Sequence, residues 1–184
     1  IDALRTARRE RRPSFAWIHY YEPHQTQERG AAALGGNPQL RYDALLERVD
    51  RQLGRLFREL ERLRYFDDSL ILVFGDHGEA LGELGYVGHH VYLNHFIADI
   101  PLILRAPGVT PGPTLGLATI GDIAPTIVEW AGARPLSGSD ARSLFAPSEP
   151  SEERYGLSEA FPVRGRLLFD LLRDPIDSLP ALSR

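Results

Sequence analysis

The sequence predicts an α/β fold, a mainly parallel sheet flanked by helices, and three stretches predict it. Ser69-Leu-Ile-Leu-Val-Phe74 is apolar but for Ser69 and rich in branched side chains, the composition of a strand buried on both faces. Phe15-Ala-Trp-Ile-His19 reads as a second, shorter buried strand. Between them, Leu45, Leu46, Val49, Leu53, Leu56, Phe57, Leu60 and Leu63 recur at spacings of three and four, which predicts one long helix over Arg41 to Phe66. Strand, helix, strand is the rhythm of a parallel βαβ unit.

The remaining elements follow in order. Ile1 to Arg12 is basic and reads as the end of a helix, stopped by Pro13. Tyr20-Tyr-Glu-Pro-His24 is a polar group at a strand's end, and Gln25 to Pro38 is a surface loop rich in Gly, Ala and polar residues. The Arg and Glu residues opposite the apolar stripe of the long helix form a solvated face. Glu79 to Asp99 is a loop with one helical turn. Ile100-Pro-Leu-Ile-Leu-Arg105 is a strand whose Pro101 marks its start or a sheet edge. Thr119 to Ala131 is a helix, with Asp122 as its N-cap and Pro125 in its first turn. From Gly132 the hydrophobic density falls, until Arg164-Gly-Arg-Leu-Leu-Phe169 suggests a short strand.

Composition narrows the chemistry. The 184 residues suffice for one domain with a core, and a net charge of −4 implies no broad nucleic-acid patch. There is no Cys, which removes disulfides, thiolate metal sites and cysteine nucleophiles. All 21 basic residues are Arg, so no Lys acts here. No Met is present, so the chain is expected to be an internal or processed segment. No apolar run reaches the roughly 18 residues of a membrane span.

The polar residues with most chemical promise stand just beyond predicted strand ends. Gly75-Asp76-His77-Gly78 follows the strand of Leu72 at once. In open α/β sheets ligands sit beyond the carboxyl ends of strands. A carboxylate and an imidazole delivered there, between glycines that let the backbone turn, can converge on one cation. The plain alternative is a polar turn. Six histidines occur, at 19, 24, 77, 89, 90 and 95. His19 reads as a hydrogen-bonded core residue and His95 as a packing residue. His24 and His77 lie past strand ends, and His89 lies in the glycine-containing loop after Asp76 and His77. Each can ligate a metal when neutral or donate to an anion when protonated.

Five segments occur in an order that carries a resemblance: Phe15-Ala-Trp-Ile-His-Tyr-Tyr-Glu-Pro-His24, Val73-Phe-Gly-Asp-His-Gly-Glu-Ala-Leu-Gly82, Val87-Gly-His89, Ile100-Pro-Leu-Ile-Leu-Arg-Ala-Pro-Gly108 and Gly121-Asp-Ile-Ala-Pro-Thr126. Together they resemble the sulfatase family of the alkaline-phosphatase-like superfamily, from about Pro13 to Leu144. Leu168 to Pro175 is a weaker echo of the family's C-terminal segment.

The resemblance implies an alkaline-phosphatase-like domain, incomplete at its N-terminus. Residues 1–135 would be the C-terminal part of the catalytic domain, and 136–184 a loop-rich remnant of the C-terminal subdomain. It implies a divalent metal ion held by Asp76 and His77. Calcium is favoured by family habit, with manganese, zinc or magnesium as alternatives. It implies that His24 and His89 hold the oxygens of a sulfate or phosphate ester. The implied function is metal-dependent sulfuric ester hydrolysis. Alternatives are phosphonate or phosphate ester hydrolysis, phosphoethanolamine or glycerol-phosphate transfer, and a non-catalytic fragment. The family's formylglycine precursor, in a Cys/Ser-x-Pro-x-Arg motif, does not occur here, nor do its first metal carboxylates. The chain is therefore expected to be the C-terminal half of an enzyme, inactive and weak in metal binding when isolated. No nucleic-acid partner is implied, and a membrane anchor would lie upstream. A periplasmic, extracellular or membrane-anchored location is expected.

Overall fold

The computed structural model describes residues 1–27, 36–89, 93–113, 116–146 and 154–160. The expected strand at 164–169 and the C-terminal echo at 168–175 lie outside them.

Helix α1 spans Asp2–Arg9, with Asp2 in its first turn and Arg8 and Arg9 in its last, charges that complement the helix dipole. Helix α2 spans Pro38–Arg62. It starts three residues before the predicted helix because Asn37 and Pro38 make its N-terminus. The Asn37 side chain accepts from the Gln39 amide at 2.8 Å, and proline opens the helix where no amide is needed. It ends before Phe66 because Arg64 takes a left-handed conformation (φ 61°) and Tyr65–Asp67 tighten into a 3₁₀ turn.

The two helices are fastened at that end. Arg8 donates to the carbonyls of Leu63, at 3.0 Å, and Arg64, at 2.7 Å, which lie just past α2, where carbonyls lack helical partners. Arg8 also pairs with Asp68 at 2.6 Å, and the Tyr65 hydroxyl donates to the Leu4 carbonyl at 2.8 Å. Arg5 bridges Asp2 and Glu59 at 2.7 and 2.8 Å.

Strand β1 is Ile71–Phe74, followed by short strands β2 (Ala80–Leu81) and β3 (Val87–Gly88), then helix α3 (His95–Ala98) and strand β4 (Leu102–Arg105). Both described sheets are two-stranded and antiparallel, β1 with β4 and β2 with β3. This differs from the predicted parallel pairing. Parallel neighbours are usually joined by a crossover helix across the sheet face. Between β1 and β4 the described chain instead forms the β2–β3 ribbon and the single turn of α3, and β4 returns with Phe74 opposite Leu102 and Ile71 opposite Arg105. Pro101 does precede β4 directly.

The strand predicted at Phe15–His19 is a second correction. These residues are irregular and make no ladder with any described residue. Trp17 meets Phe74 edge-on at 5.9 Å, so the segment runs beside β1. Phe15, Trp17 and Ile18 are 70, 63 and 51% exposed, so no described strand covers them. Strand character in the sequence needs a partner backbone to become a strand.

The predicted helix at 119–131 divides into a 3₁₀ turn, Ile120–Asp122, and helix α4, Ile123–Trp130. Asp122 does not cap α4 with its side chain. Its carboxylate turns back to Thr119 as half of a capping box and reaches the amide of Arg142 at 3.0 Å and the guanidinium of Arg154. Among the described residues no helix is long and apolar enough to cross a membrane.

Candidate functional site

The site begins where β1 ends. Gly75 donates to the Pro101 carbonyl at 3.2 Å, and the chain then turns through Asp76 and His77. Gly78 fixes the turn, donating to the Ile97 carbonyl at 2.8 Å. A Cβ on Gly78 would stand 2.0 Å from the Phe96 carbonyl oxygen, so only glycine allows α3 to pack this closely.

Asp76 and His77 present their side chains to the same side. Asp76 Oδ2 lies 4.0 Å from His77 Nε2, and Asp76 Oδ1 accepts from the His77 amide at 3.1 Å. Both are exposed. His77 Nδ1 lies 2.8 Å from the Gly78 carbonyl oxygen. A carbonyl can only accept, so Nδ1 carries the proton and, in the neutral ring, Nε2 holds the lone pair beside the carboxylate. A backbone carbonyl that orients a ligating imidazole in this way is a common metal-site arrangement.

His89 and His24 come from distant parts of the chain to the same place. His77 and His89 rings lie 4.1 Å apart between centroids, and His89 and His24 5.1 Å apart. His24, in the 3₁₀ turn Glu22–Gln27, stacks on Tyr21 at 4.6 Å. That turn packs on α2, which is how the loop after Tyr20 reaches the end of β1. The structure thus brings His24, His77 and His89 into one cluster, with Asp76 beside His77.

One member was not singled out from sequence. Glu79 accepts from His89 Nδ1 at 2.7 Å with its side chain only 6% exposed. Its signal was its place in Asp-His-Gly-Glu, four residues that fold as one turn. Tyr42 of α2 lies within electrostatic range of the same turn. Burial, and then the negative charges of Glu79 and Asp76, push its hydroxyl pKa up. Nothing in the sequence spacing ties residue 42 to this turn.

The donor set suits a divalent cation. Two ligands about 2.3 Å from one ion can stand up to roughly 4.6 Å apart, so the 4.0 Å between Asp76 and His77 fits a shared ion. His77, Glu79 and His89 also offer ligand atoms within 4.8 Å of one another. His19 is exposed, not in the core, with its ring 6.2 Å from Tyr21. His95 is exposed and touches Phe96 edge-on. His90 lies outside the described residues.

Comparison with known proteins adds identity to geometry. The sulfatase family profile matches residues 1–133. The chain is 34% identical over 132 residues, 67% of its length, to the multifunctional alkaline phosphatase superfamily protein PehA of Trinickia caryophylli. It is 38% identical over 93 residues, 50% of its length, to a choline-sulfatase of Rhizobium meliloti. It is 31% identical over 105 residues, 56% of its length, to an N-acetylglucosamine-6-O-sulfatase of Bacteroides thetaiotaomicron. The matched segments cover 25, 18 and 19% of these three relatives.

Proposed function

Because this chain belongs to the sulfatase family, and so to the alkaline-phosphatase-like α/β fold, we propose that it forms part of the active site of a metal-dependent sulfuric ester hydrolase. The observation that carries the reading is the convergence of His24, His77 and His89, with ring centroids 5.1 and 4.1 Å apart, at the end of the strand that delivers Asp76. Asp76 and His77 hold a divalent cation, calcium first, with manganese, zinc and magnesium as competitors. When bound, the cation offsets the negative charge that builds on the ester oxygens during attack. His24 and His89 donate to the sulfuryl oxygens, each charge-assisted bond contributing roughly 1.5–3 kcal/mol.

The nucleophile and the remaining metal carboxylates come from sequence outside these residues. Residues 1–135 are the catalytic-domain part and 136–184 the remnant of a C-terminal subdomain. In the whole domain, Phe15–His19 gains the strand partner that it lacks among the described residues, within a mainly parallel sheet. The location proposed with this reading is periplasmic, extracellular or membrane-anchored. The second reading is phosphonate or phosphate ester hydrolysis, and the name of the Trinickia relative, a multifunctional alkaline phosphatase superfamily protein, favours the phosphate ester.

The test is hydrolysis of nitrophenyl sulfate, phosphate and phenylphosphonate esters by the whole protein and by these 184 residues alone. Fastest turnover of the sulfate is expected, with Asp76→Ala abolishing it. His24→Ala or His89→Ala should cost on the order of 10²–10³-fold, as for loss of one oxyanion donor. The isolated chain should show no turnover. A faster phosphate or phosphonate rate selects the second reading. Turnover by the isolated chain near the whole protein's rate places the nucleophile within these residues and defeats the division proposed here.

A further inference from the structure

The β2–β3 ribbon sets a pair that the proposed chemistry above does not use. Ala80 stands opposite Gly88 and Leu81 opposite Val87. Continuing this register by one position puts residue 79 opposite residue 89. The Glu79 carboxylate and His89 Nδ1 lie 2.7 Å apart, with side-chain exposures of 6 and 26%. Neighbouring Ala80, the first residue of β2, is 1% exposed, so the backbone next to Glu79 is anchored. A buried carboxylate bonded to an imidazole at the edge of an imidazole cluster costs desolvation, and its partner must offset that cost.

A carboxylate accepts and does not donate, so the bonded Nδ1 carries a proton whether the ring is neutral or charged. Nε2 is at the opposite edge of the ring. With the Nδ1 edge occupied, His89 meets an anion or a leaving oxygen through Nε2, which donates to it when the ring is protonated and can only accept when the ring is neutral. We propose that Glu79 is a positioning residue that fixes the ring orientation and the tautomer of His89, so that Nε2 is the atom presented to the ester. The proposal rests on the anion-binding role assigned to His89 above, but the geometry that Glu79 imposes is measurable without turnover.

The test uses protein labelled with ¹⁵N in its imidazoles, with long-range ¹H–¹⁵N correlation at about pH 9, where imidazole is neutral. His89→Gln assigns the His89 signals. The Nδ1–H tautomer is expected in the wild type and in Glu79→Gln, whose carboxamide oxygen still accepts. Glu79→Ala should move the pattern toward the Nε2–H tautomer, and Asp76→Asn should leave it unchanged. An Nε2–H pattern in the wild type, which needs no variant to fold, overturns the proposal. So does an unchanged pattern in a folded Glu79→Ala. With nitrophenyl sulfate, Glu79→Ala should lower kcat/KM about 10–100-fold, the usual cost of losing a residue that orients another, and Glu79→Gln should restore most of it. The expected tautomers without any nitrophenyl sulfate turnover uphold the positioning and count against the sulfatase reading alone.

Discussion

Removing the carboxylate of Asp122 should unfold the C-terminal part of the described structure, and the size of the effect follows from its partners. Asp122 is fully buried. Its oxygens accept from the Thr119 amide at 2.8 Å, the Thr119 hydroxyl at 3.1 Å and the Arg142 amide at 3.0 Å, and from the Arg154 guanidinium. Burial pushes the carboxyl pKa up, but the bonds from Arg154, Thr119 and Arg142 outweigh it and hold the group at about 2, against an ordinary 3.8. The folded pKa is the lower one, so the stabilisation is complete above about pH 4 and is lost as pH falls from there through about 2. That linkage is worth on the order of 2 kcal/mol. Asp122→Ala should cost more, about 3–5 kcal/mol, because it also leaves Arg154, 17% exposed, without this carboxylate. Urea unfolding at pH 7 of the wild type, Asp122→Ala, Arg154→Ala and the double variant measures both terms. The double variant should be more stable than the sum of the single losses predicts, by about 0.5–3 kcal/mol. A loss under about 1 kcal/mol for Asp122→Ala, or strict additivity, would refute the idea that this carboxylate ties together Thr119, Arg142 and Arg154.

Two further substitutions probe the same architecture. Gly78→Ala should lower stability by about 1–3 kcal/mol or more, since its Cβ meets backbone at 2.0 Å, and it should weaken calcium or manganese binding measured by calorimetry because His77 moves with the turn. Thr126→Val should cost about 1–3 kcal/mol in urea unfolding, because the hydroxyl of fully buried Thr126 donates to the Asp122 carbonyl at 2.6 Å and accepts from the half-buried Leu144 amide at 2.8 Å, an amide that valine leaves without this acceptor.

How much of this was legible in the sequence depended on whether a signal was local. The long helix was legible because its apolar spacing is a property of one segment, and its ends were misjudged only where Asn37 and Arg64 impose cap and left-handed geometry. The strands of Leu72 and Leu104 were legible as strands, but their direction was not. An apolar run is equally at home in a parallel or an antiparallel pair, and only the path of residues 75–101 decides between them. Phe15–His19 had strand composition without a ladder partner among the described residues, and composition carries no information about partners.

The candidate site divides along the same line. Asp76 and His77 were legible because a single turn presents both, and their 4.0 Å separation is a local consequence of adjacency. That His24 and His89 join them was inferred from resemblance, since spacing alone gives no distance between residue 24 and residue 89. Glu79 and Asp122 were missed or misassigned for a shared physical reason. Each carboxylate serves a partner far from where its motif suggests, Glu79 across the ribbon to His89 and Asp122 to Arg142 and Arg154. Both are nearly or fully inaccessible, 6% for the Glu79 side chain and 0% for Asp122. A carboxylate in such a place is tolerated only when its bonds replace water, so buried acids identify the organising contacts of this chain better than its exposed charges do. The exposed Asp76 then stands apart. It has the carboxylate chemistry of the other two without the burial, and that openness is what a residue needs if it is to meet a cation arriving from solvent.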